Sequence, residues 1–170
     1  VLKIDPFEES FQALVGSLYH KVLSTCFDEN FDFEYVWQKF LQNKTLSAKE
    51  NFLLKRLKKE LLEIIEVLKE QKMYTDFKSA YYEKEITIPL TKYKIDSYFT
   101  GIIDKIMFYQ NIDDTYYALI DYKTGSFPTS LNNLKYGLDM QLPIYLYLVE
   151  NSEVFKNPIF AGFYFQKVSL

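Results

Sequence analysis

Hydrophobic positions repeat with a helical period in the first half of the chain and with a period near two in most of the second half. Residues 8–26, 31–41 and 47–72 carry apolar residues three and four positions apart, which predicts three amphipathic helices. The third helix opens on Ser47-x-x-Glu50, a capping box that would satisfy two backbone N–H groups. The first half is therefore expected to form a layer of helices.

The second half predicts four strands and one further helix. The strand segments are 80–88, 97–109, 115–123 and 158–167. A turn is predicted at 111–114, and a loop at Gly125 and Pro128. Residues 133–150 predict a helix, in which Pro143 either makes a kink or shifts the start.

The order of these elements favours a mixed α/β (α+β) fold. The first three strands follow one another closely, which predicts an antiparallel meander, and the last helix would return the chain by a right-handed crossover. The final strand would then lie parallel to the third, so we expect a central mixed β-sheet flanked by helices. A length of 170 residues is that of one domain, here spanning residues 1–170.

Composition and charge narrow the classes of function. The net charge of −3 excludes binding to nucleic acid through overall charge, so such binding would need a local patch or a bound metal. The single cysteine, Cys26, excludes a disulfide framework and a four-cysteine zinc site, and we interpret it as a small core residue of a cytoplasmic protein. No run of about 18 apolar residues is present, which predicts no membrane span. No signal peptide is apparent. Because the chain begins at Val1 and not at a methionine, we expect it to be a piece of a longer protein.

Two acidic positions lie in apolar surroundings. Asp104 interrupts an apolar strand, whereas Asp121 and Lys123 share one face at the end of the next strand. A buried carboxylate is costly unless it is paired or bound to a metal, and two from neighbouring strands repel each other unless a cation lies between them. Oxygen ligands of this kind suit Mg²⁺ or Mn²⁺. The alternative is structural: an ion pair between Asp121 and Lys123, with Asp104 at a solvated edge.

The first helix carries the only histidine. His20 lies about 180° around the helix from Phe11 and the main apolar stripe. Its neighbours on that side, Ala13 and Gly16, are small, which predicts a second, close-packed face suited to cover a metal site. The alternative is a partly exposed histidine without a ligand.

Four short motifs occur in a defined order along nearly the whole chain. They are Gly16-Ser-Leu-Tyr-His20, Gly101-Ile-Ile-Asp104, Asp121-Tyr-Lys123-Thr-Gly125 and Gln141-Leu-Pro-Ile-Tyr145. In this order they resemble the RecB-like branch of the PD-(D/E)XK nuclease superfamily. The resemblance implies a restriction-endonuclease-like core and an enzyme that cleaves DNA phosphodiester bonds, as an exonuclease, with Mg²⁺ or Mn²⁺ as its cofactor.

The same resemblance implies roles for individual residues. Asp104, Asp121 and Lys123 would be catalytic, with the two aspartates also holding the metal. His20 and the main-chain carbonyl of Tyr122 would complete the metal ligands. Lys123 would orient a water molecule or stabilise negative charge on the phosphate.

Further residues would support that site. Gln141 and Tyr145, one helical turn apart, would help to hold the DNA. A glutamate on the preceding strand would be an additional active-site carboxylate, with Glu83 as the candidate and Glu85 as its rival.

A finer resemblance is to the nuclease domain of AddB or RexB, found in helicase–nucleases that process double-strand breaks. It implies DNA and a helicase–nuclease partner subunit as partners, and a possible 4Fe–4S cluster in the longer parent protein but not in this chain. The alternatives are a free-standing RecB-like nuclease, a CRISPR-associated single-strand exonuclease, and a non-catalytic DNA- or partner-binding domain of nuclease fold. An unrelated α/β domain with structural acids is a further alternative.

Overall fold

The structure, a computed structural model, describes residues 10–124, 131–138 and 140–168. The helices are α1 Phe11–Leu23, α2 Phe33–Leu41, α3 Ala48–Met73 and α4 Gln141–Glu150. The strands are β1 Ser79–Pro89, β2 Tyr98–Gln110, β3 Thr115–Lys123 and β4 Pro158–Lys167. Short 3₁₀ helices span Thr91–Tyr93 and Leu131–Tyr136. The predicted loop at Gly125 and Pro128 lies outside the described residues.

The helices begin where side chains can satisfy their first backbone N–H groups. Ser10 and Asp32 cap α1 and α2, and the predicted capping box of Ser47 and Glu50 is confirmed at the start of α3. None of the helices in the described part of the chain is long and apolar enough to cross a bilayer.

The helix predicted over residues 133–150 was wrong in its first part. Residues Leu131–Tyr136 are 3₁₀-helical, and the α-helix begins only at Gln141. Pro143 is therefore the third residue of α4, where a backbone N–H has no partner within the helix. The proline shifts the start of the helix. The first predicted helix also ends earlier, at Leu23, so that Cys26 lies buried in the following turn.

The four strands form one mixed sheet in the order β1-β2-β3-β4. The pairs β1–β2 and β2–β3 are antiparallel, and β3–β4 is parallel, which confirms the predicted meander and the returning strand. The α4 helix lies in the connection between the two parallel strands.

Each face of the sheet has its own hydrophobic cluster. Alternate residues of β3 take opposite sides: Ile120 packs with α1, α2 and α3, whereas Leu119 packs with α4. Apolar burial on both faces holds the three layers together. This confirms the predicted mixed sheet flanked by helices.

The alternation of β1 and β2 is interrupted at one opposed pair. The ladder pairs Tyr82 with Lys105 and then Lys84 with Ile103, omitting Glu83 and Asp104. In a regular strand, all odd-numbered residues lie on one face and all even-numbered residues on the other. Here the side facing α4 switches between odd- and even-numbered residues at the interruption. On β1 it carries Tyr81 before the interruption and Ile86 and Ile88 after it. On β2 it carries Ile103 before the interruption and Ile106 after it.

Glu83 shows how the backbone accommodates this change. Its φ of 45° lies in the left-handed region, which is rare for a residue other than glycine within a strand. Such strain persists only where surrounding packing enforces it, and it is concentrated at functional sites.

Buried charges are also concentrated at this interruption. Among the described residues, the buried charged side chains are Asp104, Lys105 and Asp121, each at most 7% exposed. Burial lowers the pKa of Lys105 to about 8. The two aspartates face the site described below, whereas Lys105 lies over the rings of Phe27 and Tyr82.

Two glycines of the predicted motifs have opposite surroundings, which gives a matched prediction. A Cβ on Gly101 would lie 2.6 Å from Leu148 Cδ1 of α4, whereas a Cβ on Gly16 would meet nothing within 4 Å. We expect Gly101→Ala to lower the free energy of unfolding by about 1–3 kcal/mol through overpacking. Gly16→Ala should raise it by about 0.5–1 kcal/mol, because glycine weakens a helix interior. Chemical denaturation measures both, and a stabilising Gly101→Ala would contradict this packing of α4.

Candidate active site

The site lies where β2 and β3 separate. Their ladder ends at Lys105 paired with Ile120, so Asp104 and Asp121 lie just beyond the last pair. Where the ladder has ended, the Asp104 side chain replaces a backbone hydrogen bond between the strands, because its Oδ2 accepts a hydrogen bond of 2.9 Å from the backbone N–H of Tyr122. The fork is therefore closed by a buried carboxylate.

Helix α1 and the interrupted part of β1 bring two more candidate metal ligands close to Asp104. His20 Nδ1 lies 2.9 Å from Glu83 Oε1 and 3.7 Å from Asp104 Oδ1. One donor atom from each of these residues can be chosen so that all lie within 4.8 Å of one another. Of the two glutamates considered from sequence, Glu83 lies at this position, whereas Glu85 is exposed and paired across the ladder with Ile102.

The expected close packing around His20 was wrong in its detail. Ala13 is exposed, and Gly16 has open space where a side chain would begin. The imidazole is instead held by Glu83 and by the edge of the Tyr122 ring, at 6.0 Å between ring centres. Because Gly16 lies about one turn before His20, this side of α1 leaves room beside the site.

Asp121 and Lys123 form the second half of the site. Lys123 Nζ lies 2.6 Å from Asp121 Oδ2, and Asp121 is only 1% exposed. Apart from this ion pair, neither carboxylate oxygen of Asp121 has a hydrogen-bond partner among the described residues. A buried carboxylate with unused acceptor capacity can bind a cation or an ordered water molecule.

A chain of hydrogen bonds through α4 connects the two halves. Lys123 Nζ donates to Gln141 Oε1 at 2.9 Å, Gln141 Nε2 donates to the Tyr145 hydroxyl at 2.7 Å, and that hydroxyl donates to Asp104 Oδ1 at 3.3 Å. Gln141 and Tyr145 can meet because residues four apart share a helix face. They link the lysine to the aspartate across the fork.

The local fields favour positive charge at this site. Burial raises the pKa of Asp104 to about 6, opposed by the charge of His20 and by the hydrogen bond from Tyr122. The hydrogen bond with Glu83 contributes most to raising the pKa of His20, and burial opposes it. The shift of Asp104 thus comes mainly from burial, and that of His20 from its carboxylate partner.

This excess fits a divalent cation. The carboxylates of Glu83, Asp104 and Asp121 face one ammonium group, which leaves two negative charges uncompensated when His20 is neutral. Carboxylate oxygens with one imidazole form a hard donor set compatible with Mg²⁺ or Mn²⁺. The residues present therefore fit a metal, and His20, Glu83 and Asp104 are placed to hold it.

Comparison with known proteins assigns the fold to a family. A sequence model of the PD-(D/E)XK nuclease superfamily matches residues 1–168, which is nearly the whole chain. The chain belongs to this superfamily. The mixed sheet and flanking helices are thus a PD-(D/E)XK core of the restriction-endonuclease type, as the motifs predicted.

Individual relatives refine this result. The chain is 34% identical over 144 residues to an ATP-dependent helicase/deoxyribonuclease subunit of Carboxydothermus hydrogenoformans, covering 79% of this chain and 13% of the relative. The subunit of the same name from Clostridium perfringens is 34% identical over 128 residues, covering 68% and 11%. One from Clostridium acetobutylicum is 27% identical over 169 residues, covering 82% and 15%. The chain thus spans 11–15% of the length of these relatives.

The PD-(D/E)XK motifs converge in space, with some differences from expectation. His20, Glu83 and Asp104 form one group, and Asp121, Lys123, Gln141 and Tyr145 form the adjoining one. Tyr122 contributes its N–H to Asp104, while a metal contact through its carbonyl stays a prediction.

One neighbour of the lysine was not predicted from sequence. The Phe165 ring lies under Lys123 Nζ at 5.8 Å. The feature that could have indicated this contact is the parallel pairing of β3 with β4, which places Phe165 next to Asp121.

The single histidine allows a direct test of the choice between Glu83 and Glu85. We expect Glu83→Gln to lower the pKa of His20, because it removes the carboxylate whose hydrogen bond and charge favour the imidazolium form. Glu85→Gln should leave that pKa unchanged. Proton NMR titration of the metal-free protein measures it without overlap, and equal effects of the two substitutions would contradict the geometry.

Proposed function

We propose that this chain is a single nuclease domain within a longer protein and that it hydrolyses DNA phosphodiester bonds as an Mg²⁺- or Mn²⁺-dependent exonuclease. The names of the relatives support a further proposal, that the parent is an AddB- or RexB-like component of a cytoplasmic helicase–nuclease. That component would work with a helicase–nuclease partner on DNA during double-strand-break repair. A 4Fe–4S cluster in the longer parent stays a prediction.

One observation carries the nuclease proposal. Three candidate metal ligands lie together at an opening of the sheet: His20, Glu83 and Asp104. They lie beside the ion pair of Asp121 and Lys123. A metal bound there would activate water and neutralise charge on the phosphate. Among the described residues, this is the group of acids and histidine that could hold a metal ion.

Lys123 is the chain's own candidate for stabilising charge on the reacting phosphate. Its ammonium has three N–H donors. Gln141 accepts one, and the carboxylate of Asp121 forms an ion pair with the group. A remaining N–H can bind a phosphate oxygen or orient the attacking water, and it would be held in place before the substrate arrives.

Gln141 and Tyr145 would position the reacting groups. Tyr145 is buried and fixes Asp104, while the exposed Gln141 fixes Lys123. Groups that orient metal ligands commonly affect affinity and activity even though they do not touch the metal. The part of Gln141 that remains exposed can also face a DNA strand, and this contact stays a prediction.

The nuclease proposal is tested by replacing Lys123. We expect Lys123→Met to lower cleavage of an end-labelled DNA in Mn²⁺ by about 10²–10³-fold, because one donor to the developing charge is removed. Metal binding should persist. The control is Lys167→Met on β4, because Lys167 is exposed and paired with Lys123 across the ladder.

The products distinguish the finer alternatives. Release of nucleotides from an end supports the exonuclease, and internal cleavage overturns that part only. If the wild-type protein binds DNA and metal without any cleavage, the non-catalytic domain of nuclease fold is favoured instead.

The positioning function of α4 has its own test. Tyr145→Phe removes the hydroxyl that joins Gln141 to Asp104, so we expect Mn²⁺ affinity or the cleavage rate to fall by about 10–100-fold. Tyr147→Phe is the matched control, because its hydroxyl contacts Tyr93 away from the site. Calorimetry and cleavage assays measure both variants, and equal behaviour of the two would contradict the hydrogen-bond chain.

A further inference from the structure

A cavity lies on the face of the sheet covered by α3. It measures about 160 Å³ and is bounded by the last turns of α3, the segment that follows, and β1 and β2. A single water molecule needs only about 10–15 Å³ of such space, so the cavity admits a group of several heavy atoms. Three of its lining residues are lysines: Lys72, Lys78 and Lys105. We call it the lysine cavity.

Lys105 is the buried member of this set. Its side chain is 93% hidden, and the ammonium lies over the rings of Phe27 and Tyr82, at 5.6 and 5.5 Å. Within the described ranges, no carboxylate pairs with it and no acceptor takes a hydrogen bond from it. Aromatic faces supply part of the stabilisation that a buried cation needs. Its N–H groups can therefore donate to a group held in the cavity.

Lys72 increases the positive charge at the same place. Its ammonium lies 4.9 Å from the centre of the Phe27 ring, so two cations share one aromatic ring. Like charges held this close repel each other. Lys78 has a different task, because its Nζ donates to the carbonyls of Lys72 and Met73 and thereby covers the end of α3. The negative end of the helix is therefore screened from the cavity.

The neutral lining residues can also donate. Gln71 and Gln166 carry amide N–H groups, and the Thr75 hydroxyl accepts from the Phe77 N–H, which leaves its own proton to donate. No acidic side chain lines the cavity among the residues described. Donors surround a space that lacks a negative partner.

We propose that the lysine cavity binds a phosphate-sized oxyanion between Lys72 and Lys105. A tetrahedral anion would accept from both ammonium groups and from the neutral donors, and would relieve the repulsion across Phe27. The same chemistry is offered by the terminal phosphate of a DNA strand and by free inorganic phosphate. None of the residues that line the cavity belongs to the proposed nuclease site, so the two sites can be tested separately.

Inorganic phosphate is the probe for the first experiment. Isothermal calorimetry is performed in EDTA on the wild-type protein and on Lys105→Met, which keeps the length of the side chain and suits the aromatic surroundings. We expect one saturable site whose affinity falls at least about tenfold in Lys105→Met. Lys55→Met, an exposed lysine on α3 away from the cavity, is the control for a lost charge and should bind as the wild type does.

A second lysine separates the cavity from the nuclease site. Lys123→Met should leave phosphate binding unchanged, and loss of binding in that variant alone would overturn the proposal. So would absence of saturable binding in the wild type, or equal affinity in the wild type and Lys105→Met. Circular dichroism checks folding, and Lys72→Met replaces the buried variant if Lys105→Met does not fold.

Competition identifies the source of the anion. A short oligonucleotide with a 5′-phosphate and the same oligonucleotide with a 5′-hydroxyl are added to the phosphate-bound protein in EDTA. Displacement by the phosphorylated strand alone assigns the cavity to a DNA end. If neither strand displaces phosphate, the site is assigned to the free anion.

Discussion

Uncompensated negative charge at a break in the sheet is the constraint on which the rest of the site depends. Glu83 and Asp104 stand opposite each other where the β1–β2 ladder omits a pair, and Asp121 follows where β2 and β3 separate. In an intact ladder these three residues would form one cross-strand row on a single face, with the strands closed between them. The interruption opens the ladder around them, and because Asp104 and Asp121 are buried, a cation is the favourable way to neutralise the carboxylates.

Packing on both faces keeps this arrangement in place. The cluster under α1, α2 and α3 fixes the helix that carries His20, and the cluster under α4 fixes the helix that carries Tyr145. The strained backbone of Glu83 lies between these layers, where the surrounding contacts can maintain it. Large apolar clusters therefore support a small region that would be unfavourable by itself, as is common at functional sites.

Sequence predicts much of this fold, and the reasons for its failures are physical. The period of the hydrophobic positions and the capping residues located most helices and strands, because local burial decides these elements. The order of the motifs singled out His20, Asp104, Asp121 and Lys123 as candidate site residues. The start of α4 depended on whether Pro143 stood inside the helix or in its first turn. The switch of odd- and even-numbered residues between the two faces at Glu83 could not be predicted from sequence. It depends on a residue with left-handed backbone that lies opposite Asp104 on the neighbouring strand.

If Glu83, Asp104 and Asp121 form one divalent-metal site, the protein binds Mn²⁺ saturably, and calorimetry measures this binding. The wild-type protein is compared with Asp104→Asn/Asp121→Asn, and with Asp96→Asn/Asp113→Asn as a control that removes the same charge from exposed positions. We expect saturable Mn²⁺ binding in the wild type and the control, and its loss in the site variant. Equal binding in all three proteins, or none in the folded wild type, would contradict it.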